Sequence, residues 1–152
     1  MRYTTIIKNT MKVILVSCCK VKDPTAIGGK TVAAKDLYQS QLFKKSWAYA
    51  QKLNADRIYI LSAKHELLDP NKQIGWYDKT LKNMLASEKR VWARNVLCQM
   101  SNEGLDLQND EFIFLTGKSY YVNIIPSMTH TSLPFAGKRI GEILHFFKYV
   151  IK

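Results

Sequence analysis

Three apolar runs, each closed by a hydroxyl residue and then a lysine, constrain this chain most. Lys12-Val13-Ile14-Leu15-Val16-Ser17 runs into Cys18-Cys19-Lys20, with Lys22 two residues on. Arg57-Ile58-Tyr59-Ile60-Leu61 runs into Ser62-Ala63-Lys64-His65. Glu111-Phe112-Ile113-Phe114-Leu115-Thr116 runs into Gly117-Lys118-Ser119. Continuous apolar runs of this length read as strands covered on both faces, the habit of a parallel sheet. Parallel neighbours need crossover connections, and helical stretches stand between the runs. The expected architecture is α/β, a mostly parallel four-stranded sheet flanked by helices.

The fourth strand is expected over residues 129–133. Helices are expected over 37–53, with Asp36 as cap, and over 87–100, with Ser87 as cap. A short one must stop before Pro126. A last one carries Ile140, Ile143, Leu144, Phe147 and Ile151 at helical spacing. Val91, Trp92, Val96, Leu97 and Met100 form the expected buried stripe of the second, and Cys98 reads as packing within it. At 152 residues the chain suits one domain. Residues 1–11 read as a flexible N-terminal extension and 12–152 as a single domain. The start lacks the apolar core of a signal peptide, and no run is long enough to span a membrane. Three cysteines, two of them adjacent, suit a reducing cytoplasm. With no Cys-x-x-Cys pair and scattered histidines, neither a metal nor a cofactor is expected.

In parallel strands the three lysine-bearing ends meet at one edge, where open α/β sheets keep their sites. Hydroxyls and lysines there suit an anion. The chain carries 23 Lys and Arg against 12 Asp and Glu, a net charge of +11. That excess favours a polyanion, nucleic acid first, through phosphate neutralisation. Gly29-Lys30-Thr31 and Gly117-Lys118-Ser119 both look like the end of a nucleotide-binding P-loop. Pro24 and Phe112 stand where the first glycine is required, so neither is one. Lys20, Lys22 and Lys118 are the expected phosphate holders, with Ser17, Ser62 and Gly117 beside them. Cys18 is a candidate nucleophile if the lysines lower its pKa. Tyr38 and Ser40 sit above the same edge. Trp76 and Tyr77 are candidate stacking surfaces for a base. Asp36 and Asp69 have structural roles available as cap and turn former. Asp78 has none, which makes it the candidate carboxylate.

The pattern Ser17-Cys18, Lys20, Lys22, Asp36-Leu37-Tyr38-x-Ser40-x-x-Phe43, Ser62-Ala63-Lys64-His65-x-Leu67-Leu68-x-Pro70 and Tyr77-Asp78-x-Thr80-Leu81 resembles an uncharacterised bacterial and phage family of unknown function. The resemblance covers nearly the whole chain from Lys12 onward. Glu66 departs from it, since glycine is usual there, and Trp76 stands where proline is common. That family is distantly similar to the uracil-DNA glycosylase-like superfamily. It is also similar to a domain of archaeosine synthase with a Cys…Lys-x-Tyr…Ser…His pattern. These likenesses imply a three-layer Rossmann-like fold acting on nucleobases or their glycosidic bonds. The expected function is glycosylase-like cleavage of an N-glycosidic bond in nucleic acid, DNA favoured, with a modified base among the candidate targets. Asp78 would steady the sugar cation, His65 and Lys64 would serve the departing base, and Tyr38 or Trp76 would stack on it. Two rivals stay open: a non-catalytic basic module binding nucleic acid or a nucleotide, and an enzyme acting on a free nucleotide or nucleoside.

Overall fold

Val13 to Val16 have almost no exposed surface, and the rest of the molecule is arranged to cover them. The computed structural model describes residues 9–150. Strand β1 (Lys12–Ser17) is followed by a long loop and the two-residue strand β2 (Val32–Ala33). Helices α1 (Ala34–Leu37) and α2 (Gln41–Gln51) lead to β3 (Arg57–Ser62). Next come β4 (Glu66–Leu68), β5 (Gln73–Ile74) and helix α3 (Ala86–Asn102). The chain closes with β6 (Glu111–Leu115), α4 (Lys118–Tyr121), β7 (His130–Ser132) and α5 (Ile140–Val150). The main sheet has the order β4-β3-β1-β6-β7, and β2 pairs with β5 in a separate ribbon. β1 is parallel to β3 on one side and to β6 on the other, and β7 is parallel to β6. The architecture is therefore mixed α/β, a mostly parallel sheet of five strands with five helices among the described residues. No helix among them is long and apolar enough to cross a membrane.

The sheet has one strand more than the four expected. Residues 66–68, read as loop, return antiparallel along β3 with Leu67 opposite Leu61. Two amides make that reversal: Lys64 N–H and His65 N–H both donate to Ser62 Oγ, at 3.2 and 2.9 Å. Glu66 then adopts φ +63, the left-handed region natural to glycine. A strand of three residues is too short to show an alternating pattern.

The helix expected over 37–53 is two helices. Tyr38 is extended because it bridges Lys22, flanked by Asp23 N–H to Leu37 O and Gln39 N–H to Val21 O. Ser40, not Asp36, then caps α2, its Oγ accepting from Phe43 N–H at 3.1 Å. Asp36 lies inside α1. α3 begins at Ala86 rather than after Ser87, with Glu88 accepting from Leu85 N–H. Its buried face is Trp92, Ala93, Val96 and Met100. Val91 is 51% exposed, and Cys98 is exposed rather than packed, because the stripe is rotated toward β4. Of the extension expected at 1–11, residues 1–8 lie outside the described residues, as does Ile151 at the other end. Met11 N–H donates to Asp110 Oδ1 at 2.9 Å.

Replacing Ser40 with Ala should cost about 1 kcal/mol, the usual worth of such a cap. Urea unfolding of the two proteins measures it; equal midpoints would show that α2 is held by packing alone.

Candidate functional site

The parallel register brings the three polar strand ends together. Val16 lies opposite both Ile60 and Leu115, and Ser17 lies opposite Leu61. Cys18 N–H continues the ladder to Leu61 O at 2.9 Å. Cys18, Ser62 and Thr116 thus leave the sheet side by side.

A buried hydroxyl chain stands over this edge. Tyr77 Oη lies 2.8 Å from Ser62 Oγ and 2.6 Å from Tyr38 Oη. A serine hydroxyl has two lone pairs and one hydrogen. Ser62 Oγ already accepts from the Lys64 and His65 amides, so its hydrogen goes to Tyr77. The Tyr77 hydrogen then goes to Tyr38. Burial raises the pKa of both tyrosines, so both stay protonated and the chain keeps its direction. Tyr38 is 1% exposed and its ring lies against Phe43 at 5.1 Å, leaving no face open to a base. Trp76, next to buried Tyr77, is 42% exposed.

Around the chain stand three groups of unusual setting. Lys22 is buried, with Nζ 4.5 Å from the centroid of the Tyr77 ring and donating to Lys20 O at 3.3 Å. Burial lowers its pKa, while Cys18, Cys19 and Asp78 nearby pull the other way. His65 sets its ring edge-on to Tyr77 at 5.3 Å. Its Nε2 is buried without a hydrogen-bond partner among the described residues. Burial, then Lys64 and Lys72, lower the His65 pKa and keep the ring neutral. Cys18 Sγ lies 3.3 Å from Tyr120 Oη, and burial raises the pKa of that phenol.

Two adjoining clefts open beside this cluster. One, of about 350 Å³, is walled by Ala63, Lys64, Glu66, Met84, Trp92 and Asn95. The other, of about 320 Å³, holds Asp78, Thr80 and Asn83, and the two share Lys79, Met84 and Glu88. A separate cavity of about 350 Å³ lies beyond β1 and β6, with Ser17, Thr116, Gly117 and Lys118 against Tyr121 and Phe135. The expected residues therefore divide. Lys64 and Asp78 line the paired clefts, while Ser17, Gly117 and Lys118 line the separate cavity. Ser62, Tyr77, Tyr38, Lys22 and Cys18 form the buried support between. Lys20 is exposed, and Ser40 Oγ is engaged as a helix cap. Among the described residues no three His, Cys, Asp or Glu side chains converge as a metal site.

Sequence reasoning missed four contributors. Trp92 read as core, yet its indole N–H donates to Ser62 O at 2.9 Å and its ring walls the cleft. Tyr120, two residues past Lys118, was legible as an aromatic on a strand-end segment. Asn95 and Gln99 lie one turn apart on α3 and hold Glu66, at 2.7 and 2.8 Å. Only the short strand β4 brings Glu66 to them.

Fold and site together define an α/β protein with two adjoining clefts beside the carboxyl edge of its parallel strands, one walled by Trp92 and both lined by charges of either sign. The chain matches the model of a family described as Family of unknown function (DUF6884) over residues 13–149, and it belongs to that family. No curated protein and no solved structure matches it.

Two outcomes follow from the buried network. Tyr77→Phe should destabilise the protein by about 1–3 kcal/mol, because the buried Tyr38 and Ser62 hydroxyls lose their shared partner. Urea denaturation checks this, and an unchanged midpoint would mean the hydroxyls find other partners. His65 gives a pH signature. In the unfolded chain it titrates near 6.5, and in the fold lower. Above that pH both states hold it neutral. As pH falls through 6.5 the unfolded state takes up the proton first, and stability drops until the folded pKa is passed. Wild type should lose more stability than His65→Asn between about pH 7.5 and about pH 5. Equal losses would show that His65 is not linked to folding.

Proposed function

We propose that this protein is a nucleobase-acting enzyme on nucleic acid, DNA favoured, that cleaves an N-glycosidic bond in the manner of a glycosylase on a three-layer Rossmann-like scaffold. The observation that carries the reading is the pair of adjoining clefts, one with an indole wall and Lys64, the other with Asp78. Breaking the bond between sugar and base puts positive charge on the sugar and negative charge on the departing base. A carboxylate and a cation on either side of one shared rim meet both needs.

The base enters the cleft of Trp92 and Met84, and Lys64 at its rim faces the charge that the base acquires. The sugar lies over the second cleft, where Asp78 stabilises its oxocarbenium character and orients the attacking water. Lys20, exposed at the same edge, holds phosphate, and Trp76 offers a stacking face outside. His65 acts on the site through Tyr77 rather than by touching the base. Its neutral ring fixes the Tyr77 side chain from which the Ser62 turn, and with it Lys64, takes its place. The net charge of +11 supports a polymer over a free nucleotide.

Free base and abasic sites should form on DNA carrying ordinary, damaged or phage-type modified bases. Asp78→Asn and Lys64→Ala should each slow release by roughly 10²–10⁴-fold, with folding intact. Lys20→Ala should flatten the salt dependence of binding by about one phosphate contact. Binding without release from any of these DNAs would make the protein a non-catalytic module. Release from nucleosides alone would move the substrate to small molecules.

A further inference from the structure

We propose that the cavity at the ends of β1 and β6 is a second ligand site, one that takes a small amphipathic anion: a carboxylate or phosphate ester on an apolar body. It is independent of the Trp92 cleft and of the glycosylase reading.

The topology opens this cavity. β1 lies between β3 and β6 in the sheet and is parallel to both. The chain leaves β1 through α1 and α2 toward β3 on one side, and leaves β6 through α4 toward β7 on the other. Connections that part in opposite directions from adjacent strand ends leave a crevice between them, and there open α/β sheets receive their ligands. Ser17 closes β1 at this crevice, and Thr116, Gly117 and Lys118 leave β6 there.

The lining divides by chemistry. On the strand-end side, the Ser17 hydroxyl and the Lys118 ammonium make no hydrogen bond or ion pair among the described residues. Lys138 lines the same cavity, its Nζ donating to Pro134 O at 2.9 Å, which leaves two of its three hydrogens. Leu42 of α2, Phe135, and Ile140 and Ile143 of α5 supply the apolar wall. No carboxylate lines this cavity. Four other cavities among the described residues each contain at least one: Glu66, Asp78, Asp56 and Asp36 in turn. Glu142, in the first turn of α5, accepts from Arg139 N–H at 3.3 Å instead. Two cations without a counter-charge favour an anion, and the wall opposite favours an apolar body attached to it. Ile140 is 63% exposed. Alone that is ordinary, but beside Phe135 and Ile143 it adds apolar surface for a ligand to cover.

Gly117 leaves room for one. Its φ of −74 suits any residue, and an added Cβ would meet no atom within 4 Å. Neither the backbone nor the packing requires glycine there, so the missing side chain serves only to leave space. The volume of about 350 Å³ holds roughly ten non-hydrogen atoms, taking about 30 Å³ for each as for a water molecule. A packing gap between α5 and the sheet would account for the space and the apolar wall. It would not account for two lysines on it without a carboxylate.

The test titrates the full-length protein with phenyl phosphate and with benzoate, which share an apolar ring and differ in the anion. Phenol supplies the ring alone, and inorganic phosphate the charge alone. NMR follows the Gly117 amide and the Ile140 and Ile143 methyl groups, with the Trp92 indole marking the other cleft. At least one ring-bearing anion should shift the Gly117 and isoleucine signals, saturate by about 10 mM and leave Trp92 unmoved. The tighter of the two names the anion. Phenol and inorganic phosphate should each bind about tenfold more weakly or worse. Lys118→Ala, at an exposed position, should weaken binding by about tenfold. Gly117→Leu should abolish it, with the urea midpoint showing that the fold is kept.

Saturation by neither anion, inorganic phosphate binding as tightly as phenyl phosphate, unchanged affinity in both variants, or shifts at Trp92 in place of Gly117 would overturn the proposal. The readout breaks no bond. Anion binding at Gly117 in a protein that releases no base upholds this site and refutes the glycosylase reaction. Base release without anion binding refutes this site and upholds the reaction.

Discussion

The Tyr77 hydroxyl is the atom on which the site depends. It joins Ser62 at the end of β3, Tyr38 in the bend between α1 and α2, and its own loop after β5. The β2–β5 pairing and the backbone bonds from Ala34 to Lys72 and from Lys35 to Pro70 draw the same segments together. The bend exists because Tyr38 is extended against Lys22, and the turn after β3 exists because Ser62 collects two amides. A buried hydroxyl with partners on both sides costs little, whereas one stripped of them costs the full desolvation of the group. The network is thus strict about geometry even though its net contribution to stability is modest.

That strictness separates support from chemistry. The groups with the most perturbed settings are the ones least able to meet a substrate: Tyr38 and Tyr77 are engaged with each other, and Lys22 lies beneath the surface. The groups on the cleft walls, Lys64 and Asp78, are exposed. A perturbed pKa marks a functional region more surely than it marks the reacting residue. Here it marks the frame that sets the angle of the Ser62–His65 turn.

Much of the frame was legible in the chain. β1, β3 and β6 are apolar throughout because each is covered on both faces, so their existence, direction and shared edge could be read. What escaped was short or compensated. β4 has three residues and takes its direction from the Lys64 and His65 amides just ahead of it, which bond to Ser62. The split of the first crossover helix comes from a single backbone bridge between Lys22 and Tyr38, a pairing that no local propensity encodes. Ser40 did carry a cap signal, with Phe43 three residues on, but the apolar periodicity from Leu37 runs straight through it. At the site, the strand-end polar residues were found, since strand ends punctuate the sequence. Asn95 and Gln99 were not, because an amide on the exposed side of a helix looks like any solvated residue until a partner strand arrives.

The Gln99 side chain has a consequence beyond the cleft. A five-stranded sheet has two free margins, and a margin with unpaired N–H and C=O groups invites another chain to add itself. On one side β7 is three residues long and begins with an exposed histidine. On the other, β4 turns the Leu67 amide outward, and Gln99 Oε1 is already bonded to it. The same glutamine that holds Glu66 therefore occupies the outward amide in the middle of this three-residue edge. A helix side chain thus stands where a sixth strand would add, one of the ways a sheet edge is blunted against pairing with another chain.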